Sequence, residues 1–162
     1  MFRNFVEVGL GILAAFVLYT VFGKISVGLL LIFNPFLLAV LYFSLVNGEV
    51  FGAVTGTICG LIQDSFSLGI FGVAGLSMTV LGYLTGLISR KINVVPFWRN
   101  FVFLLILGSL ELLIWMALCV FIFAERLHTG GMLLFFQPLT MAFCGSLLFT
   151  LMRKLRGNER IG

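Results

Sequence analysis

The chain has 162 residues, a formal net charge of +4, 61% hydrophobic residues and only 10% charged ones, and its mean hydropathy of +1.21 is well beyond what a water-exposed surface tolerates. This composition excludes a soluble catalytic or nucleic-acid-binding domain and describes an integral membrane protein. A spanning helix needs about 20 residues, so the length provides for five or six crossings within a single membrane domain, 1–162.

Taken in order, the first apolar run, 5–22, is longer than a signal-peptide core and no A-x-A-like cleavage site precedes Lys24, so it is expected to remain as a helix. The second run, 27–46, contains Asn34-Pro35. Pro35 either kinks a continuous helix or occupies a first helical position with Asn34 as its cap. The third, 48–67, is long enough to cross only if Asp64 lies near an interface. The remaining helices are expected over 70–89, 101–123 and 132–152, the last carrying Gln137-Pro138. The fold class is therefore all-α, a polytopic bundle of six transmembrane helices, with five as the other possible count.

With six crossings and an inner N-terminus, Arg3, Arg90, Lys91, Arg99, Arg153, Lys154, Arg156 and Arg160 lie on the cytoplasmic side, against Lys24 and Arg126 outside. A five-helix arrangement only exchanges Arg3 with Lys24. In both, the C-terminal RKLRGNER tail is cytoplasmic, where it anchors the topology and can meet membrane lipid.

Chemistry-bearing residues are few. Cys59, Cys119 and Cys144 stand singly in apolar runs with no C-x-x-C pairing, and His128 is the sole histidine, in the expected loop AERLHTGG. No His-based metal site or His-containing triad can be assembled from one histidine, and no P-loop is present. Neither catalysis nor a cofactor is expected. Glu7 follows Arg3 by four residues, the spacing of an interfacial helical pair. Glu111 falls mid-run, where facing lipid would cost about 2.5–3.5 kcal/mol. It is expected to face protein, either as a structural group hydrogen-bonded by a polar neighbour such as Asn34, Gln63 or Gln137 or as part of a proton or ligand relay.

The most organised stretch is Gly48, Gly52, Gly56, Gly60 and Asp64, recurring every four residues. On one helix these form a single slowly drifting stripe, and small residues so placed let a second helix approach closely. The next run offers Gly75, Thr79, Gly82 and Gly86. The two are expected to clasp as a hairpin around SFSLGIFG, with Asp64 closing the seam near the outer end.

The order NPFLLAVLYFSL, then Gly52, Gly56 and Gly60, then LIQD ending at Asp64, then Gly69 and Gly72, and an apolar helix ending at Arg90-Lys91, resembles the rod-shape-determining protein MreD family. Gly56, Gly60 and Asp64 are similar to the family's G-x-x-x-G-x-x-x-D. The turn carries Ile70-Phe71 where the family often has proline. The resemblance implies a bacterial inner-membrane protein of the cell-elongation machinery, partner of MreC and working with MreB, RodA and a penicillin-binding transpeptidase. It also implies an architecture similar to the substrate-binding S-components of energy-coupling-factor vitamin transporters. Two readings follow: a scaffold whose interface includes Gly52, Gly56, Gly60, Asp64, Gly69 and Gly72, or a small-molecule binding subunit. The short aliphatic outer segments favour the scaffold.

Overall fold

The computed structural model describes residues 2–66, 71–90, 97–123 and 131–158. Among these residues the regular structure is all helical: α1 Phe2–Ile25, α2 Val27–Ile32, α3 Pro35–Asn47, α4 Glu49–Phe66, α5 Val73–Ser89, α6 Phe97–Phe123 and α7 Gly131–Asn158. Three stretches, Val6–Ile25, Gly28–Asn47 and Phe97–Leu118, are long and apolar enough to cross a bilayer. With the shorter apolar helices Val73–Ser89 and Phe136–Leu151, they make the molecule an all-α membrane helix bundle.

The Asn34-Pro35 site divides the second apolar run in two. Ser26 starts α2 by accepting the Gly28 N–H at 3.2 Å, and Phe33 and Asn34 then leave helical geometry for extended backbone. Pro35 restarts the helix at a position where its missing N–H is no loss. The Asn34 Oδ1 accepts the N–H groups of Phe36 and Leu37 at 3.1 and 3.3 Å, satisfying two donors that would otherwise be orphaned in the bilayer.

Pro138 behaves differently, lying inside α7. It deprives the carbonyl of Leu134, four residues earlier, of its donor. The α6 helix starts at Phe97, four residues before the sequence expectation, directly after Pro96. Four residues of the expected loop, Phe97 to Asn100, therefore belong to the helix.

The centre of the bundle is α3, which packs on α1, α4, α5 and α7. Its Phe36, Leu37, Val40 and Leu41 form the core with Cys59, Met78, Leu81, Leu104, Leu107 and Met141 from the surrounding helices. The α1 helix leans on this core through Tyr19, whose ring centroid is 5.1 Å from that of Phe36, and through Phe16, 5.5 Å from Phe66. Its other face exposes Leu10, Leu13, Val17 and Val21, the surface a lipid-facing helix presents. Since lipid tails are as apolar as these side chains, close packing rather than the hydrophobic effect must hold the helices together.

Candidate functional site at the glycine hairpin

Helices α4 and α5 form the most extensive contact in the molecule. The reason is the absence of side chains between them. A Cβ at Gly52 would overlap the Gly82 carbonyl, one at Gly56 the Met78 carbonyl, and one at Gly60 the Ala74 carbonyl and the Gly75 Cα. The relation is reciprocal at Gly82, facing the Gly52 carbonyl, and at Gly86, facing the Glu49 backbone. The helices are thus in backbone contact along their length. The Thr57 and Thr79 hydroxyls, 2.8 Å apart, add an interhelical hydrogen bond in which one donates to the other, and the accepting hydroxyl donates within its own helix, Thr57 to the Ala53 carbonyl at 2.9 Å or Thr79 to the Gly75 carbonyl at 2.6 Å.

Asp64 occupies one end of this seam and is 6% exposed. Its Oδ2 accepts the N–H groups of Gly72 and Gly75 at 2.9 and 3.0 Å, and its Oδ1 accepts that of Ala74 at 3.2 Å. These are donors of the first turn of α5, which the N-cap residue Gly72 has no side chain to satisfy. The carboxylate of α4 therefore caps α5, placing a negative charge at the positive end of that helix. Gly72 itself has φ of +100°, a left-handed conformation that a Cβ would strain. Gly69 lies outside the described residues.

The opposite end is closed by charge. Glu49 opens α4 and Arg90 ends α5, with Arg90 Nη1 at 2.9 Å from Glu49 Oε1. Each charge also complements its own helix, acid at an N-terminus and base at a C-terminus. The sequence reading did not single out this pair. A glutamate directly after Gly48, at a helix start, is the signal that points to Glu49. Gly48 has φ of +92° and connects α3 to α4 as a single residue.

Beside Asp64, Gln63 accepts a hydrogen bond from Asn34 Nδ2 at 2.8 Å, tying the α2–α3 break to α4. The Thr140 hydroxyl donates to the Ile32 carbonyl, tying α7 to the same break. The structure thus brings Asn34, Gln63 and Asp64 to one end of the bundle. Gln137 is buried one turn from Thr140. Glu111, 5% exposed, lies on the α6 face that meets α7, one turn beyond Gly108, where a Cβ would be 3.3 Å from the Pro138 Cα. Asn34 and Gln63 bond each other, and no bond from either to Glu111 is seen among the described residues.

The other chemistry-bearing residues stay dispersed. Cys59 is buried and Cys144 half-buried, both as free thiols. The side chains of Arg3 and Cys119, and the whole of His128, lie outside the described residues. Among the described residues no group of three or more His, Cys, Asp or Glu side chains is placed to hold a metal ion. A cleft between α3, α6 and α7, lined by Leu38, Leu41, Tyr42, Leu45, Leu104 and Leu148 among others, is apolar and has a volume of about 10 Å³, hardly the space of one water.

The site is thus a helical hairpin in backbone contact, closed at one end by a cross-helix carboxylate cap and at the other by an ion pair. The family model for rod shape-determining protein MreD matches residues 4–155, which takes in the whole seam and both of its ends. The chain belongs to the MreD family. Membership in the MreD family carries a role in determining rod shape. No curated protein and no solved structure matches the chain.

Proposed function

We propose that the chain is a non-enzymatic scaffold of the bacterial inner membrane that links MreC, and through it MreB, RodA and a penicillin-binding transpeptidase, to the site of lateral wall synthesis. Six crossings, with both termini cytoplasmic, accommodate the helices and the distribution of Lys and Arg.

The observation that carries this reading is the α4–α5 hairpin. Backbone contact leaves it little freedom to deform, and both ends are fastened. Away from the seam, α4 exposes Val50, Val54 and Ile58 and α5 exposes Leu76, Val80 and Tyr83, each on its own outer side. A rigid, apolar face of this kind suits a partner's transmembrane helix, where van der Waals fit supplies the association energy. A vitamin-binding subunit would instead need convergent polar side chains around a cavity, and the cleft described above is narrow and predominantly apolar.

The test is recovery of MreC with the affinity-tagged protein from native membranes. Wild-type protein is expected to retain MreC, and Asp64→Ala to retain less at equal membrane abundance. Full recovery of MreC by Asp64→Ala and Gly56→Leu alike would remove the hairpin from the interface. Recovery of an ATPase pair in place of wall-synthesis proteins would replace the scaffold reading with the transporter one.

A further inference from the structure

The inward face of α6 carries a carboxyl at its middle. Asn100, Leu104, Leu107 and Glu111 are all buried, and their spacing is that of one helix face. Glu111 stands midway along the 27 residues of α6. The surrounding helices supply no charge for it. The α6 helix packs on α7 and α5 and borders α3 at the apolar cleft. No residue of α7 before Arg153 is charged, none of α5 before Arg90, and none of α3 at all. The other titratable side chains there are elsewhere: Cys144 sits beside Gly145 at the level of Leu104, Tyr42 lines the cleft, and Tyr83 is exposed. On α6 itself, Arg99 is three turns earlier and exposed, and Cys119 is two turns later. No described residue donates a hydrogen bond to the Glu111 carboxyl or forms an ion pair with it. A carboxylate so buried would be an uncompensated charge, whereas the neutral acid has one O–H to place.

An acceptor without its donor lies across the interface. Pro138 has no N–H, so the Leu134 carbonyl goes without its helical bond, and inside a membrane bundle such an oxygen must find another donor. Leu134 precedes Pro138 by one turn and shares its face, the face that Gly108 meets. A helical carbonyl points along the axis toward the residue four positions on, so the Leu134 oxygen is directed at the level of Pro138. The contacts of Leu104 with Gly145 and of Gly108 with Pro138 run in opposite senses along the two helices. That antiparallel register puts Glu111, three residues beyond Gly108, level with the turn between Leu134 and Pro138. Its side chain leans toward the start of α6, which is toward Pro138 and the open oxygen.

We propose that Glu111 is a proton-dependent clasp between α6 and α7, donating its carboxyl O–H to the Leu134 carbonyl that Pro138 leaves open. With the proton in place, one bond satisfies two buried groups and ties the helices at the proline. When the proton leaves to water, the bond is lost and a carboxylate faces a carbonyl oxygen, so the two helices are pushed apart at this level. The last two helices thus respond to protonation, while the glycine hairpin, held by backbone contact, does not.

The experiment is infrared spectroscopy of the full-length protein in phosphatidylcholine liposomes, with melting temperatures read in parallel. In mildly acidic buffer the wild type is expected to show a protonated-carboxyl C=O band that Glu111→Gln removes; removal of a carboxylate band instead would overturn the proposal. Pro138→Ala returns an N–H to the Leu134 carbonyl and is expected to move the band to higher frequency, as the acid loses its acceptor. An unmoved band would sink the proline as the acid's partner. Glu111→Leu is expected to lower the melting temperature by several degrees in the wild-type background and not at all in Pro138→Ala, where equal losses would remove the clasp. Glu111→Gln offers an amide N–H in the same place and is expected to melt close to wild type. As pH rises from about 5 to about 9, the folded wild type has a proton to give up that an unfolded glutamate has already released, so its stability is expected to fall more than that of Glu111→Gln. Parallel falls in the two would take the proton out of the joint.

Discussion

Two antiparallel helix pairs, α4–α5 and α6–α7, reach close packing by different means. In the first, glycines on both helices leave carbonyl oxygens and Cα atoms against one another, and each end has its own fastening. In the second, approach is limited by side chains: a Cβ at Gly145 would stand 2.8 Å from Leu104 Cδ1, the end of a flexible chain, and the closest glycine contact otherwise is Gly108 against Pro138. A side chain can rotate away from an intruding methyl group, whereas a backbone carbonyl held in its own helix cannot. The first pair is therefore rigid to substitution and the second adaptable.

The largest effect is expected at the middle of the rigid pair. Gly56→Leu must drive α4 away from the Met78 carbonyl, at a cost beyond the ~1–3 kcal/mol of ordinary core overpacking. The expected outcome is loss of monodisperse protein in fluorescence-detected size-exclusion chromatography; a well-folded Gly56→Leu would break the contrast outright. Next comes Asp64→Ala, which strips the α5 N-terminus of its cap. The expected loss is about 1–2 kcal/mol by analogy with helix caps, seen as a lower melting temperature in detergent, with Asp64→Asn falling between it and wild type. The smallest effect is expected for Gly108→Ala, where the new methyl needs a shift of only a few tenths of an ångström from Pro138. A melting temperature within a few degrees of wild type would sharpen the distinction. A loss of monodisperse protein like that expected of Gly56→Leu would erase it.

Much of the rigid pair is legible in the sequence because its signal is local: a four-residue glycine period puts small residues on one helix face whatever the neighbours are. The Asn34-Pro35 break is legible for a related reason, since both halves of the capping device are adjacent in the chain. The sequence left open whether the proline kinked a helix or began one, and only the extended backbone at Phe33 and Asn34 decides it. Glu49 and Arg90 escape notice because forty-one positions of chain separate two charges that each look ordinary at a helix end. Asn100 is hidden by FWRN, which reads as an interfacial loop until Phe97 is seen to open α6. Spacing alone puts Asp64 near the hairpin's end, but nothing local indicates that its oxygens serve the N–H groups of the other helix.

The capping of α5 by a residue of α4 also bears on how the protein enters the bilayer. With an acid at each end and glycines between, α4 is not among the helices that length and hydropathy alone mark as membrane-spanning, and the first turn of α5 has no cap of its own. Each helix lacks something the other supplies. An insertion machinery that releases segments one at a time would leave a carboxylate and a set of bare amides in lipid, so the two leave it most favourably as a preassembled pair. Biogenesis of the whole bundle then depends on Asp64 finding its donors at the start of α5.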